Sequence, residues 1–593
     1  MPKPSSEAVQ WDLDQILPLD EFDQQYAQIE AEIPKYVEWQ NKLKPDMPTD
    51  LFLEHINWST RVSERYTRLM DRVALWETTD VKAGEPARLR ARAQDLGVMI
   101  AESTRPIGMW LKGKEVEGME TLDDVNAKRL FAAASDYEYS LTYSRKLAHF
   151  TLSLEAESII THKDTTGTSV LTDLRDAIEA DFVYSFKMGG KTHKYDTASE
   201  LMRHIYAPDP VEREAAYRAL YVPYEREKQK FFKIYQAVVK DWDYEAKLRG
   251  YDSTIAMRNV GNHVPDKAIE TLLRVCEDES SLFQEFFRWK QKQLGLKQLR
   301  RFDIYAPVGE SQQEFSYTDA VDLTMQSFTE FSPEFAAKAK RIIDEQHIDS
   351  HPSPTKRGGA FCATVTPSMA PYVLLNYAGK ARDVSTLAHE LGHGVHSLYA
   401  SHLPIGVQHA NLPLSETAST FGEMLLFENM LAALDDPTER QAMIAEKVAD
   451  SYATICRQTY FVKFELEAHK AIPQGAGVED LERLWLDTLH SQFGDAVEVD
   501  DVFRHEWAYI PHIVHTPFYC YAYSFGELLS LSLYARYKRE GKPFVSKIEN
   551  ILKAGGSRDP HEILMEVGVD MTSADFWRGG FAIIREWVSQ LTT

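Results

Sequence analysis

Two histidines four residues apart with a glutamate beside the first can hydrolyse bonds, and Thr386–Tyr399 (Thr-Leu-Ala-His-Glu-Leu-Gly-His-Gly-Val-His-Ser-Leu-Tyr) carries that set. On a helix, residues at i and i+4 lie on one face, so His389 and His393 can both reach one Zn²⁺ at about 2.0–2.1 Å. Glu390 is rotated too far round to be a ligand and can instead act as a general base toward water at the metal. With 19 histidines in 593 residues, such a pattern arises by chance in roughly one chain in twenty, so it needs support. Leu412–Glu428 (Leu-Pro-Leu-Ser-Glu-Thr-Ala-Ser-Thr-Phe-Gly-Glu-Met-Leu-Leu-Phe-Glu) supplies it by reading as a second helix, with Ser415 and Thr417 as cap candidates. Glu416 there completes a His₂Glu site that leaves one position open for water. Glu423, seven residues on and on the same face, falls one layer behind, where a carboxylate accepts the free N–H of a ligating histidine. The plainer reading of Glu416 is a solvated carboxylate favoured by a helix start.

These residues must be positioned by a mainly helical body. Apolar residues recur three and four apart from Asp20 to about Ala148, as in Glu85–Ile100, which predicts successive long helices. Phe182–Tyr195 has two β-prone arms around Gly189-Gly190 and predicts a hairpin. Pro208-Asp-Pro-Val-Glu-Arg213 marks a helix start, and Tyr217, Tyr221, Tyr224 and Phe231 after it are expected in a core. Arg300–Pro307 looks extended. From Ile348 to Gly379 β-branched and aromatic residues with Gly and Pro predict a small sheet just before the motif helix. Its strand either pairs with an extended peptide or is merely a structural hairpin. The division expected is an N-terminal helical lobe over 1–200 and a catalytic domain over 201–593.

The pairing of HELGHGVHS with SETASTFGE resembles the oligoendopeptidase F branch of the thimet oligopeptidase family, zinc metallopeptidases that cut short peptides. The similarity extends to Trp11-Asp-Leu-Asp, Lys356-Arg-Gly-Gly-Ala-Phe-Cys362, Asp383-Val-Ser-Thr-Leu-Ala and Pro517-Phe-Tyr-Cys-Tyr-Ala-Tyr523. Phe361 stands where many relatives have Tyr. The resemblance implies a two-lobed helical body with a deep substrate channel, one zinc per chain, and a peptide-pairing role for the segment around Gly359 to Thr364. It also implies that a histidine followed by closely spaced tyrosines faces the metal. His512, Tyr519 and Tyr521 match best, with His515 and Tyr523 as further candidates. Imidazolium N–H and phenol O–H groups could there stabilise the tetrahedral oxyanion; an ordinary aromatic core helix is the alternative. His396 is not expected as a ligand, since a metzincin pattern would need Gly at 396 and His at 399. Second-layer contact or core packing is its expected role.

A net charge of −24 argues against nucleic acid or an anionic membrane as partner. The opening Met1–Trp11 lacks the apolar core of a signal peptide, and no apolar run reaches bilayer length. Cys276, Cys362, Cys456 and Cys520 fit no C-x-x-C pattern, so reduced thiols in a cytoplasmic protein are expected. Together these predict a zinc-dependent endopeptidase acting on internal bonds of short oligopeptides, with Glu390 as general base. A zinc exopeptidase and a non-catalytic peptide-binding helical protein are the rivals. Co²⁺ or Mn²⁺ would also suit the ligands, and cleavage preference and oligomeric state stay open.

Overall fold

The predicted helical periodicity becomes helix through most of the chain in this computed structural model, which describes residues 10–309 and 314–592. The described strands are few: β1 (Tyr184–Met188), β2 (Lys191–Tyr195), β3 (Ile348–Asp349), β4 (Phe361–Ala363) and β5 (Tyr372–Leu374). The protein is mainly α, as expected. No helix among the described residues is long and apolar enough to cross a membrane.

The chain forms two compact units, each assembled from three stretches. Met1–Glu157, Gln313–Met430 and Arg536–Val569 make the first; Ser158–Gln312, Leu431–Ala535 and Asp570–Thr593 make the second. These interleaved units differ from the sequential division near residue 200. The physical reason is that the N-terminal helices complete their core with residues far along the chain: Phe52, Leu69, Trp110 and Leu130 share one buried cluster with Val365 and Tyr372.

In the first unit, helices Thr49–Thr79 and Gly84–Leu111 pack on each other, and residues of both, among them Phe52, Leu69, Leu96 and Trp110, lie in that cluster. The predicted small sheet is present in the order β3-β5-β4, with β3 parallel and β4 antiparallel to β5. Tyr372, Val373 and Leu374 of the central β5 are fully buried, whereas β4 is an edge strand with half-buried residues. Trp11 bolts this sheet to the N-terminus. Its indole N–H is shared between the carbonyls of His347 (3.0 Å) and Val373 (3.2 Å), and its ring meets Phe361 and Tyr372 edge-on. The motif helix, Ala381–Tyr399, follows directly. Asp383 accepts the backbone N–H groups of Ala378 and Lys380, each at 3.0 Å, which fixes the entry of the chain into that helix.

In the second unit, β1 and β2 form the expected hairpin across Gly189-Gly190, both at positive φ. Pro210–Arg249 is one continuous helix, begun by the Asp209 side chain accepting the Val211 N–H and ended at Gly250 with φ +83°. Tyr217, Tyr221, Tyr224 and Phe231 are buried along it, as predicted. Arg300–Pro307 is not extended throughout, because Arg301–Asp303 make a 3₁₀ turn. The turn lets the buried Arg301 reach Glu506 at 2.5 Å, a carboxylate it shares with Arg457 at 3.2 Å. A buried carboxylate bonded by two guanidiniums is compensated where an isolated one would not be.

Replacing Trp11 with Ala removes two hydrogen-bond acceptances and two ring contacts from the sheet. The expected loss is ~2–4 kcal/mol of stability, read as a lower melting temperature, and an unchanged melting curve would refute the bolting role.

Candidate metal centre

The i, i+4 spacing does what helical geometry requires. The His389 and His393 rings lie 4.7 Å apart, and their Nε2 atoms come within 3.1 Å of each other. Glu416 Oε2 lies 3.4 Å from His389 Nε2 and 3.3 Å from His393 Nε2. Among the described residues these three form a group able to hold a metal ion. A tetrahedral ion with bonds of about 2.0–2.1 Å needs ligand-to-ligand edges of roughly 3.3–3.4 Å, and the triangle matches that size.

The donor chemistry also fits a cation. His389 Nδ1 lies 2.6 Å from Glu423 Oε1; with Nδ1–H donating to that carboxylate, a neutral ring turns a bare Nε2 lone pair toward the triangle. The His389 pKa is pushed up to about 9: burial opposes this, but Glu423, Glu416 and Glu390 outweigh it. Burial would raise the Glu416 carboxyl, yet His393 and His389 bring it down to about 2. Glu390 is buried, and burial holds its carboxyl above the ordinary value despite the two histidines. A carboxylate so placed is a better proton acceptor than one in water.

The second segment departs from a single capped helix. Leu412–Ser415 is a separate short turn, Glu416 sits at its end, and Thr417–Ala433 is the helix proper. Neither expected cap residue caps. Ser415 donates to the Leu412 carbonyl at 2.7 Å, and the Thr417 hydroxyl is buried with no protein partner among the described residues. Ser419 instead donates to Glu416 Oε2 at 2.8 Å and helps fix that carboxylate.

A cavity of about 300 Å³ adjoins Glu390 and His393, lined also by Phe361, Cys362, His396 and His409. His396 is buried and stays outside the triangle, with its pKa lowered to about 4 by burial. The Cys362 thiol is raised well above its usual value by burial and by Glu390, so it stays protonated and weakly nucleophilic.

His512, Tyr519 and Tyr523 gather in the second unit. The His512 and Tyr519 rings are parallel with centroids 6.2 Å apart, Tyr523 meets Tyr519 edge-on at 5.2 Å, and its hydroxyl lies 3.3 Å from His512 Nε2. Tyr521 does not join them. It is fully buried and its hydroxyl accepts from Asn262 Nδ2 at 2.7 Å. Tyr519 and Tyr523 are four residues apart around a helix start and Tyr521 points the other way, a periodicity that the sequence contained. His515 is exposed and pairs with Asp176 at 3.0 Å. His512 departs from the expected imidazolium, since burial and then His515, Arg457 and Arg175 lower its pKa.

Gly392, unremarked in the sequence, lets the segments that carry His389, His393 and Glu416 meet. A Cβ there would lie 2.5 Å from Ser419 Cα and 2.6 Å from the Ala418 carbonyl oxygen, both backbone atoms. A Cβ on Gly394 would press on the tip of the Ile342 side chain and lie in ordinary contact with Cys362 Sγ at 3.6 Å, both side-chain atoms. Gly392→Ala is therefore expected to cost ~1–3 kcal/mol and to weaken metal retention by roughly tenfold or more, whereas Gly394→Ala keeps the metal. Metal content after dialysis, with melting curves, measures both; equal retention by the two variants would refute the distinction.

The model of the family described as "Peptidase family M3" matches residues 203–583, well over half the chain. Oligopeptidase PepF of Bacillus subtilis is 25% identical over 574 residues, covering 95% of this chain and 84% of that protein. A solved structure from Chlamydophila abortus superposes with a TM-score of 0.88 at 23% identity, covering 99% of this chain and 98% of that one. The oligoendopeptidase F of Enterococcus faecium superposes with a TM-score of 0.71 at 22% identity over 97% and 98%. At those identities the two structures show a shared fold, while the family model covers the His-His-Glu triangle itself: the chain belongs to peptidase family M3, a family of metallopeptidases.

Proposed function

We propose that this peptidase is a zinc-dependent endopeptidase of short oligopeptides, with His389, His393 and Glu416 as the metal ligands and Glu390 as the general base. The observation that carries the reading is the triangle of 3.1–3.4 Å edges with a buried, proton-accepting Glu390 beside it. Zinc held there would polarise a water molecule and the scissile carbonyl. Glu390 takes the proton from the attacking water and delivers it to the leaving amine nitrogen. Glu423 keeps His389 in the tautomer and orientation that ligation needs.

The peptide itself is proposed to run along β4. This edge strand precedes β5 and the motif helix in the chain and, among the described residues, pairs with β5 along one edge, which leaves the other edge to take an added strand. Main-chain pairing holds a peptide with little demand on its side chains, which suits a broad oligopeptide substrate class. The donors proposed for the tetrahedral oxyanion are His512, Tyr519 and Tyr523. Tyr521 is left out of substrate contact, since it is buried and engaged with Asn262. The four cysteines are all free thiols, which supports a reducing, cytoplasmic setting.

An end-blocked, internally quenched oligopeptide tests the reading. Cleavage is expected at an internal bond, to vanish on chelation and to return with added Zn²⁺; cleavage only of peptides with a free terminus would favour an exopeptidase instead. Glu390→Gln should keep a full complement of metal and lose roughly 10²–10⁴-fold in kcat. Strong turnover by that variant in the zinc-loaded state would remove Glu390 from the base role.

A further inference from the structure

Beneath the His512–Tyr523 cluster lies a buried group that the proposed reaction does not use. Glu465, on the helix Arg457–Ala471, is fully buried, and its Oε1 accepts the backbone N–H of Phe518 at 2.7 Å. Its Oε2 has no hydrogen-bond partner among the described residues, nor does either ring nitrogen of the buried His469 one helical turn on. Burial is the main reason that the Glu465 pKa rises to about 8, offset in part by the Phe518 N–H and Arg258. A neutral carboxyl is thus the prevalent form at neutral pH, bonded to one amide.

That amide belongs to a residue in an uncommon conformation. Thr516–Tyr519 is a turn closed by the Tyr519 N–H donating to the Thr516 carbonyl at 3.1 Å, with Pro517 second and Phe518 third. Phe518 has φ +59°, where such a turn normally takes glycine. A bulky side chain keeps this conformation only when its surroundings over-determine it. Here they do. The Phe518 ring is buried against His469 (centroids 4.5 Å apart) and near Trp242 (6.5 Å). The Pro517 carbonyl accepts from Arg258 Nε at 3.0 Å, and the Arg258 guanidinium lies over the Trp242 ring. The residue immediately after Phe518 is Tyr519, whose ring lies parallel to that of His512.

We propose that Glu465 is a positioning residue: through the Phe518 amide it holds the Thr516–Tyr519 turn in the shape that sets Tyr519 beside His512. This rests on the reading of His512, Tyr519 and Tyr523 as donors in the reaction. Glutamine at 465 can present the same carbonyl oxygen to Phe518, methionine of similar length cannot, and aspartate withdraws the acceptor by one methylene while keeping a carboxyl group.

Steady-state kinetics, metal content and melting curves of Glu465→Gln, Glu465→Met, Glu465→Asp and Tyr519→Phe test the proposal. Glu465→Met and Glu465→Asp are expected to lower kcat roughly ten- to a hundredfold, with KM within about threefold of the parent and metal content unchanged. Glu465→Gln should stay within about twofold of the parent kcat. A kcat retained by both Met and Asp, a loss confined to KM, or a Gln variant as damaged as the Met variant would overturn the positioning role. If the Met variant does not fold, the Asp variant decides the matter alone. Tyr519→Phe separates the two failures: full activity there would bring down the donor reading of the cluster, whereas a loss there beside an unaffected Glu465→Asp would bring down only the inference about Glu465.

Discussion

The triangle of His389, His393 and Glu416 depends on one close approach of backbone to backbone. At Gly392 the motif helix meets Ala418 and Ser419 with no room for a Cβ. Helices that meet through larger side chains sit 8–10 Å apart, and a glutamate reaching across such a gap would be loosely held. The approach at Gly392 brings Glu416 Oε2 to within 3.4 Å of both imidazoles while Ser419 fixes it from behind. The rest of the first unit serves that contact. Trp11 fastens the sheet, the sheet leads directly into the motif helix, and Asp383 sets the angle of entry.

Charge explains why this arrangement awaits a cation. Two imidazole nitrogens and a carboxylate oxygen, all electron-rich, are held closer than they would choose in water. The carboxylates around His389 drive its pKa up to about 9, and the histidines bring Glu416 down to about 2, so His389 and Glu416 stabilise each other's charged form. A divalent ion held there would replace the His389 proton and satisfy all three donors at once. Glu390 stands apart in this balance, since burial raises its pKa where proximity to the histidines would lower it. One short stretch of helix thus carries a histidine that nearby carboxylates favour in its protonated form and a carboxylate that burial makes a readier proton acceptor.

Much of this was legible in the sequence because local periodicity decides it. The four-residue spacing of His389 and His393 fixes a shared face wherever the helix lies, and the seven-residue spacing of Glu416 and Glu423 predicted the carboxylate behind His389. The hairpin at Gly189-Gly190 and the helix start at Asp209-Pro210 were legible for the same reason. What depended on distant packing was not. Gly392 is an unremarkable residue until Ala418 is placed against it, and β4 is an edge only once β3 and β5 have paired. The interleaving of the units follows from Val365 and Tyr372 sharing a core with the first helices, which no local pattern announces. Tyr521 stands apart from the other rings for a reason that was local, since its two-residue offset from Tyr519 and Tyr523 places it on the opposite side of a helix.

The protonation of His512 sharpens how charge would be shared in the proposed reaction. An imidazolium there would offer a full positive charge to a developing oxyanion, but burial and the neighbouring His515, Arg457 and Arg175 all disfavour it. A neutral imidazole and two phenols each offer a single donor hydrogen without needing a counter-charge. Such groups can strengthen their hydrogen bonds as negative charge grows on an oxygen, with no charge to desolvate beforehand. Neutral donors of that kind contribute direction rather than charge. Direction is what a strained turn with a buried carboxyl under it is suited to provide, because a hydrogen bond loses its strength with misalignment faster than a Coulombic attraction does.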